Sequence, residues 1–301
     1  MTSPTNSAPI ALFAYNRLRH LRETVEALLR NREAADTDLF VFSDGPKNES
    51  VAEAVGEVRD YLKSITGFRS VTIIERAHNL GLGKSIIDGV STVCASHGRV
   101  IVLEDDLVAA PHFLKYMNDG LNAYAEDLRV ASVLGYALPL PVELPETYFV
   151  RGADCLGWAT WSRAWNLFEP DGARLLEELV RTGQADALDM NGTMGFTQML
   201  RDQIAGKNSS WAVRWHVSMF LKGMLTLTPG RSLITHIGND GSGSNFGHES
   251  LLDTPLCMNE IRVGNIAVEE HRAARLATER YYRAYKSLWA RALRRLRGMF
   301  R

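Results

Sequence analysis

Three consecutive acids, Glu104-Asp105-Asp106, close the apolar run Val100 to Leu103. Carboxylates crowded at the mouth of a buried strand repel one another and lose hydration, a difficulty that a divalent cation removes. Oxygen donors of this kind suit Mg²⁺ or Mn²⁺, which use one or two protein carboxylates and complete their shell with water and phosphate. A solvated acidic turn is the plain alternative. Upstream, His78-Asn79-Leu80-Gly81-Leu82-Gly83-Lys84 puts two glycines and a lysine at the start of a helical pattern, which suits an anion. A glycine turn with a solvated lysine would read the same way.

The two motifs together allow an ATPase phosphate loop with its magnesium strand. That loop requires a glycine five residues before the Gly-Lys pair, and counting back from Gly83 reaches His78. The ATPase or kinase reading therefore stands second to one built around a different nucleotide.

The elements that must carry these residues alternate. IALFAY (10–15), DLFVFSD (38–44), VTIIE (71–75) and RVIVLE (99–104) read as strands. Helical spacing runs over 17–31 through Leu18, Leu21, Val25, Leu28 and Leu29, over 51–65, and from about 83 to 96. Such alternation predicts an α/β doubly wound, mostly parallel sheet, whose ligands sit where strands end. Asn16-Arg17, Ser43-Asp44, His78 to Lys84 and Glu104 to Asp106 all fall at those ends or just beyond. Further on, the pattern predicts helices at 111–125, 171–183, 194–205 and 211–222 and strands near 129–134, 147–151 and 224–228. HIGNDGSGSNFG (236–247) reads as a loop.

A 301-residue chain that is 46% hydrophobic and 23% charged buries a full core without staples. Its net charge of −1 argues against a nucleic-acid partner. Three cysteines, Cys94, Cys155 and Cys257, show no metal-ligand spacing and suit a reducing compartment. The opening MTSPTNSAPIALFAYNR lacks a signal-peptide pattern and no run is long enough to span a bilayer, so a cytoplasmic protein is expected.

AYNR, SDG, HNLGLG, VLEDDLVAAPHFL and LGWATW, in that order over roughly residues 8–247, resemble the GT-A fold nucleotide-sugar glycosyltransferases. The likeness is to the N-acetylglucosaminyltransferase I type and its bacterial family 2-like relatives. It implies a metal-dependent enzyme that moves a sugar from a nucleoside diphosphate, UDP above all, to a glycan or lipid-linked acceptor, with inversion. It also implies residue roles. Arg17 and Asp44 would hold the base, Asn16 beside them would be a further substrate-binding residue, and Asn79, Gly81 and Lys84 would lie near ribose and diphosphate. Glu104 and Asp105 would contact donor sugar and ribose, while Asp106 would hold Mn²⁺ or Mg²⁺. Gly157 and Trp158 would wall the donor sugar and acceptor.

The relatives carry an Asp between paired tryptophans as the catalytic base. This chain reads Trp211-Ala-Val-Arg-Trp215 there, without a carboxylate. Asp240 and Asp154 are the substitutes to weigh, against ordinary loop-capping roles; a non-catalytic sugar-nucleotide-binding relative is the other reading. His236 would join the metal if its loop folds back. Trp158, Trp161 and Trp165 offer either a sugar-stacking face or core.

The expected organisation is a GT-A domain over 8–250, with a nucleotide-sugar half (8–110) and an acceptor half (111–250). A helical C-terminal extension follows over 251–301. Residues 280–301 carry eight basic residues and no acid, leaving about −9 on the rest of the chain. From Tyr281 apolar residues recur at helical spacing with arginines between, which suits an interfacial helix on an anionic membrane surface. Packing on the protein's own acidic surface, or an oligomer contact, would use the same pattern.

Overall fold

The computed structural model describes residues 7–238 and 254–286. The four apolar runs form β1 (Ile10–Ala14), β2 (Asp38–Ser43), β3 (Ser70–Glu75) and β4 (Arg99–Glu104). The helices between them are α1 (Leu18–Leu29), α2 (Ala52–Lys63) and α3 (Leu82–His97). On α1, Leu21, Val25 and Leu28 share one face and are essentially unexposed, each stabilising by about 1.5–3 kcal/mol. Gly98 stops α3 with φ 75°, its N–H returning to the Cys94 carbonyl, a geometry that glycine adopts without strain.

Then follow β5 (Leu107–Ala109), α4 (Phe113–Ala123), β6 (Val130–Leu134), β7 (Thr147–Arg151), β8 (Trp158–Trp161) and α5 (Ser162–Trp165). The remaining elements are α6 (Gly172–Arg181), α7 (Ala185–Leu188), α8 (Phe196–Ile204), α9 (Ala212–Leu221), β9 (Leu225–Pro229), β10 (Ile234–His236) and α10 (Arg272–Lys286).

Eight strands make one sheet in the order β3-β2-β1-β4-β8-β6-β9-β7. Only β8 and β7 run against the rest, so the sheet is mostly parallel, as the alternation predicts. Polar residues in the buried strands are satisfied within the sheet. Ser132 Oγ and Thr226 Oγ1 meet at 2.7 Å, and Thr160 Oγ1 donates to the Ala131 carbonyl at 2.8 Å.

The sequence reading named no element around Trp158, Trp161 and Trp165; pairing with β4 and β6 makes Trp158–Trp161 the strand β8. Trp158 and Trp165 then meet Trp215 of α9 at centroid distances of 5.6 and 5.2 Å, with Trp211 5.6 Å from Trp158. These rings are core.

β5 and β10 form a separate antiparallel pair, with His236 opposite Leu107. The sequence reading found neither strand. Their three-residue length gives no periodicity to detect.

Residues 254–271 lie along the edge of the domain without helix, and only α10 is helical there. Cys257 N–H bonds the Ser232 carbonyl at 2.7 Å and His271 N–H bonds that of Phe149 at 2.9 Å. Ala274 and Ala277 of α10 are buried, and Arg275 bridges Glu270, Glu279 and the Ala187 carbonyl. The residues of α10 that precede the basic tail thus pack on the protein itself; residues 287–301 lie outside the described residues. Among the described residues no helix is long and apolar enough to cross a membrane.

Trp215 is 0% exposed and joins the sheet to the helices of the second half. Trp215→Ala is expected to lower the unfolding free energy by about 3–5 kcal/mol in urea titrations, the range for a large aromatic truncated in a core. A loss under 1 kcal/mol would show that the cluster is not structural.

Candidate functional site

β1 and β4 are neighbours in register, Phe13 opposite Glu104, so the loop after one strand faces the loop after the other. That adjacency puts Arg17 on the acid trio. Its Nη2 donates to Asp105 Oδ1 and, at 2.8 Å, to Asp106 Oδ2. The side chains of Asp105 and Asp106 are only 6% and 9% exposed, while Arg17 keeps 19%. The backbone holds this corner as well: Tyr15 N–H reaches Asp105 Oδ2 at 3.4 Å, and Thr24 Oγ1 donates to the Asp105 carbonyl at 2.9 Å.

The β5–β10 pair begins directly after Asp106 and closes the other side. It brings His236 Nε2 to 3.2 Å from Asp106 Oδ2, while Ile237 N–H bonds the Asp106 carbonyl at 2.9 Å. Gly238 follows, and a Cβ there would stand 2.5 Å from Asp106 Oδ2 and 3.0 Å from His236 Nε2. The absence of a side chain at 238 keeps that oxygen reachable.

Asp44 lies at the end of β2, 6% exposed. Its Oδ1 accepts from Leu80 N–H and its Oδ2 from Gly81 N–H, both at 2.9 Å. Asn79 Nδ2 donates to the Gly45 carbonyl at 2.8 Å. Gly45 is required here, since a Cβ would fall 2.6 Å from the His78 carbonyl carbon. The SDG and HNLGLG loops are thus stapled together, and the Gly81 amide expected at a diphosphate is spent on Asp44. Lys84 is exposed in the first turn of α3, and Asn16 is half-buried beside Arg17.

Trp158 requires a correction. It was expected to wall the donor sugar, but it is 1% exposed, its ring enclosed by Trp165, Trp211 and Trp215. Gly157, with φ 61°, does line the turn: its carbonyl accepts from Gly135 N–H at 2.7 Å, and a Cβ would strike Ile234 at 2.5 Å. Asp154 is exposed, its Oδ1 accepting from Cys155 N–H at 2.6 Å. The Cys155 thiol is pushed up by burial and then by Asp154, Glu104 and Asp106, so this turn and the acid trio share one corner. Asp240 lies outside the described residues.

Residues 10–139 match the family model described as "Glycosyl transferase family 2". Over those residues, which are less than half of the chain, the protein is similar to the glycosyl transferase family 2 domain. The mostly parallel sheet with flanking helices is the GT-A arrangement of that family. No curated protein sequence matches this chain. Among solved structures it is similar to S. aureus TarS, at 9% identity and TM-score 0.38, over 77% of this chain and 37% of that one. The chain therefore spans little more than a third of TarS. It is also similar to a UDP-glucose pyrophosphorylase complexed with UDP-glucose, at 11% identity and TM-score 0.35, over 74% and 90% of the respective chains. The family 2 match takes in Arg17, Asp44, the 78–84 loop and the acid trio, and leaves Asp154, Gly157, Trp158 and His236 outside it.

Among the described residues no three His, Cys, Asp or Glu side chains converge as a metal cage. The donors at Asp106 and His236 nevertheless suit Mn²⁺ or Mg²⁺, which draw most of their ligands from water and phosphate. The Cβ-free space at Gly238 would admit an ion to the shared oxygen.

Electrostatics sort the three acids within the family 2 match. Burial, then Asp106 and Asp105, push Glu104 up to about 8. Burial also lifts Asp105, to about 6, against the pull of Arg17. Burial acts on Asp106 in the same sense, but His236 and Arg17 outweigh it and hold that carboxyl below its ordinary value. For Arg17, burial opposes the charge, yet Asp105 and Asp106 raise its pKa.

A carboxyl with a raised folded pKa binds more protons folded than unfolded, so stability falls as pH rises through that window. The window runs from 3.8 to about 6 for Asp105 and from 4.5 to about 8 for Glu104. Asp106 acts oppositely: its contribution is present above 3.8 and is lost as pH falls through its depressed value. Metal-free protein should therefore melt at lower temperature at about pH 8 than at about pH 6, where Asp105 is only half ionised. Glu104→Gln should flatten that slope; equal slopes for the two proteins would refute the assignment.

Proposed function

We propose that the family 2 domain makes this protein a divalent-metal-dependent transferase. It would move a hexosyl or N-acetylhexosaminyl group from a UDP-sugar to a glycan or lipid-linked acceptor, with inversion, in surface polysaccharide or glycoconjugate assembly. The observation that carries this reading is the convergence of Arg17, Asp105, Asp106 and His236 at the carboxyl end of a central strand. In parallel sheets that edge is where nucleotides bind.

On this reading Asp106 and His236 would hold Mn²⁺ or Mg²⁺, which would supply Lewis-acid stabilisation of a leaving diphosphate. Asp44 and Asn79 shape the loop that receives the base, and Arg17 and Lys84 bring positive charge toward the nucleotide. Glu104 and Asp105 contact donor sugar and ribose, and Gly157 shapes the turn beside the sugar. A base must take the proton from the acceptor hydroxyl, a role assigned to Asp154 or Asp240. The nucleotide half is 8–110, the acceptor half 111–250 and the extension 251–301. The protein would work in the cytoplasm, with residues 287–301 able to meet an anionic inner membrane face.

The ATPase reading loses support because the Leu80 and Gly81 amides, which a phosphate cradle would need, are taken by Asp44. A non-catalytic sugar-nucleotide-binding relative stays in view through the missing carboxylate between Trp211 and Trp215.

Release of UDP from a panel of UDP-hexoses and UDP-N-acetylhexosamines with Mn²⁺ tests the proposal. Wild type should turn over at least one donor, and Asp106→Ala should lose at least ~100-fold, on the scale of removing electrostatic stabilisation of a transition state. ATP binding without UDP binding would overturn it. Of Asp154→Asn and Asp240→Asn, one should lower kcat by about 10²–10⁴-fold at unchanged donor KM. Full turnover in both would place the base elsewhere.

A further inference from the structure

Asp106 Oδ2 serves several neighbours at once. Arg17 Nη2 donates to it at 2.8 Å, His236 Nε2 lies 3.2 Å away, and a Cβ at Gly238 would stand 2.5 Å from it. The same guanidinium nitrogen also holds Asp105. Under the proposed function this is the oxygen that a divalent cation would claim. The two occupants compete, because a guanidinium in contact with that oxygen and a dication bound to it repel strongly at such burial.

We propose that Arg17 is a displaceable resident cation: it holds the acid pair in the donor-free protein and yields Asp106 only when metal and nucleoside diphosphate arrive together. This rests on the transferase reading above. A metal arriving alone adds two charges and offers the displaced guanidinium no new anion. A metal arriving with a diphosphate brings that anion, and phosphate oxygens match the planar guanidinium fork. Arg17 is suited to move. Its side chain is 19% exposed against 6% and 9% for its partners, and it stands just outside α1, with φ −114° and ψ 73°.

Binding of the two ligands is then coupled through Arg17, and the coupling is reciprocal. Titrations of Mn²⁺, followed by the electron paramagnetic resonance of the free ion, read it directly with and without saturating UDP. Wild type should bind Mn²⁺ at least ~10-fold more tightly with UDP than alone, about 1.4 kcal/mol of coupling. Arg17→Met keeps the apolar stem and removes the charge. It should bind Mn²⁺ alone at least ~10-fold more tightly than wild type, with the UDP effect reduced, whereas Arg17→Lys should stay near wild type. Adding Asp106→Asn to Arg17→Met should abolish the gain; its persistence would place the ion elsewhere and overturn the proposal. So would an Arg17→Met protein of wild-type circular dichroism that binds Mn²⁺ alone no better than wild type. If Arg17→Met does not fold, the wild-type titrations decide: equal Mn²⁺ affinity with and without UDP refutes the latch. Absence of UDP binding in every protein, with or without Mn²⁺, would instead sink the transferase reading. The comparison of Mn²⁺ alone between wild type and Arg17→Met would still decide the latch.

Discussion

The burial of carboxylates at the end of a central strand is the constraint around which this fold is arranged. β4 lies between β1 and β8, so Glu104, Asp105 and Asp106 emerge where water is scarce. Each desolvated charge costs several kcal/mol unless it is paired and hydrogen-bonded. The surroundings supply those partners from parts of the chain far apart in sequence. Arg17 comes from the loop after β1, Thr24 from α1, and His236 from a strand pair that starts at the acids themselves.

Such an arrangement is a poor device for stability. A buried ion pair rarely outperforms well-packed apolar residues of the same volume, whereas losing one partner is severely destabilising. Two acids sharing one guanidinium nitrogen, with a third acid lifted to about 8, amount to an unbalanced cluster. The stability that tolerates it comes from elsewhere, chiefly the apolar β1–β4 strands and the tryptophan cluster under β8. On the proposed reading, shifted carboxyls at the carboxyl edge of a sheet belong to a functional site rather than to a scaffold.

The first half of the fold was legible because its signals are local. Apolar runs of β-favouring residues, helical stripes and polar residues at the strand ends all survive without tertiary information, and the acid trio announced itself by its own repulsion. What was not legible depended on pairing. The Trp158–Trp161 strand carries a spacing that suits a helix equally well, and its identity is decided by β4 and β6 on either side. The destination of Asp44 on the Leu80 and Gly81 amides required knowing that the two loops touch at Gly45. The Arg17 contact was within reach: in a doubly wound order β1 and β4 are neighbours, so a cation just after one and acids just after the other should meet. His236 was harder, since β10 is too short to leave a pattern.

The two halves of the sheet divide the chemistry unevenly. Residues in the family 2 match supply Arg17, Asp44 and the three acids, all of them set by parallel strands whose ends are held in register. The later residues supply His236, Gly157 and the packed tryptophan cluster. Because β8 and β6 continue the same sheet, the second half is rigidly tied to the first through main-chain hydrogen bonds. Its helices α6 to α9, in contrast, close a smaller core of their own around Leu179, Leu200 and Phe220. That smaller core shares α9 with the main one: Val213, Val217 and Phe220 face it, while Trp211 and Trp215 of the same helix pack on Trp158.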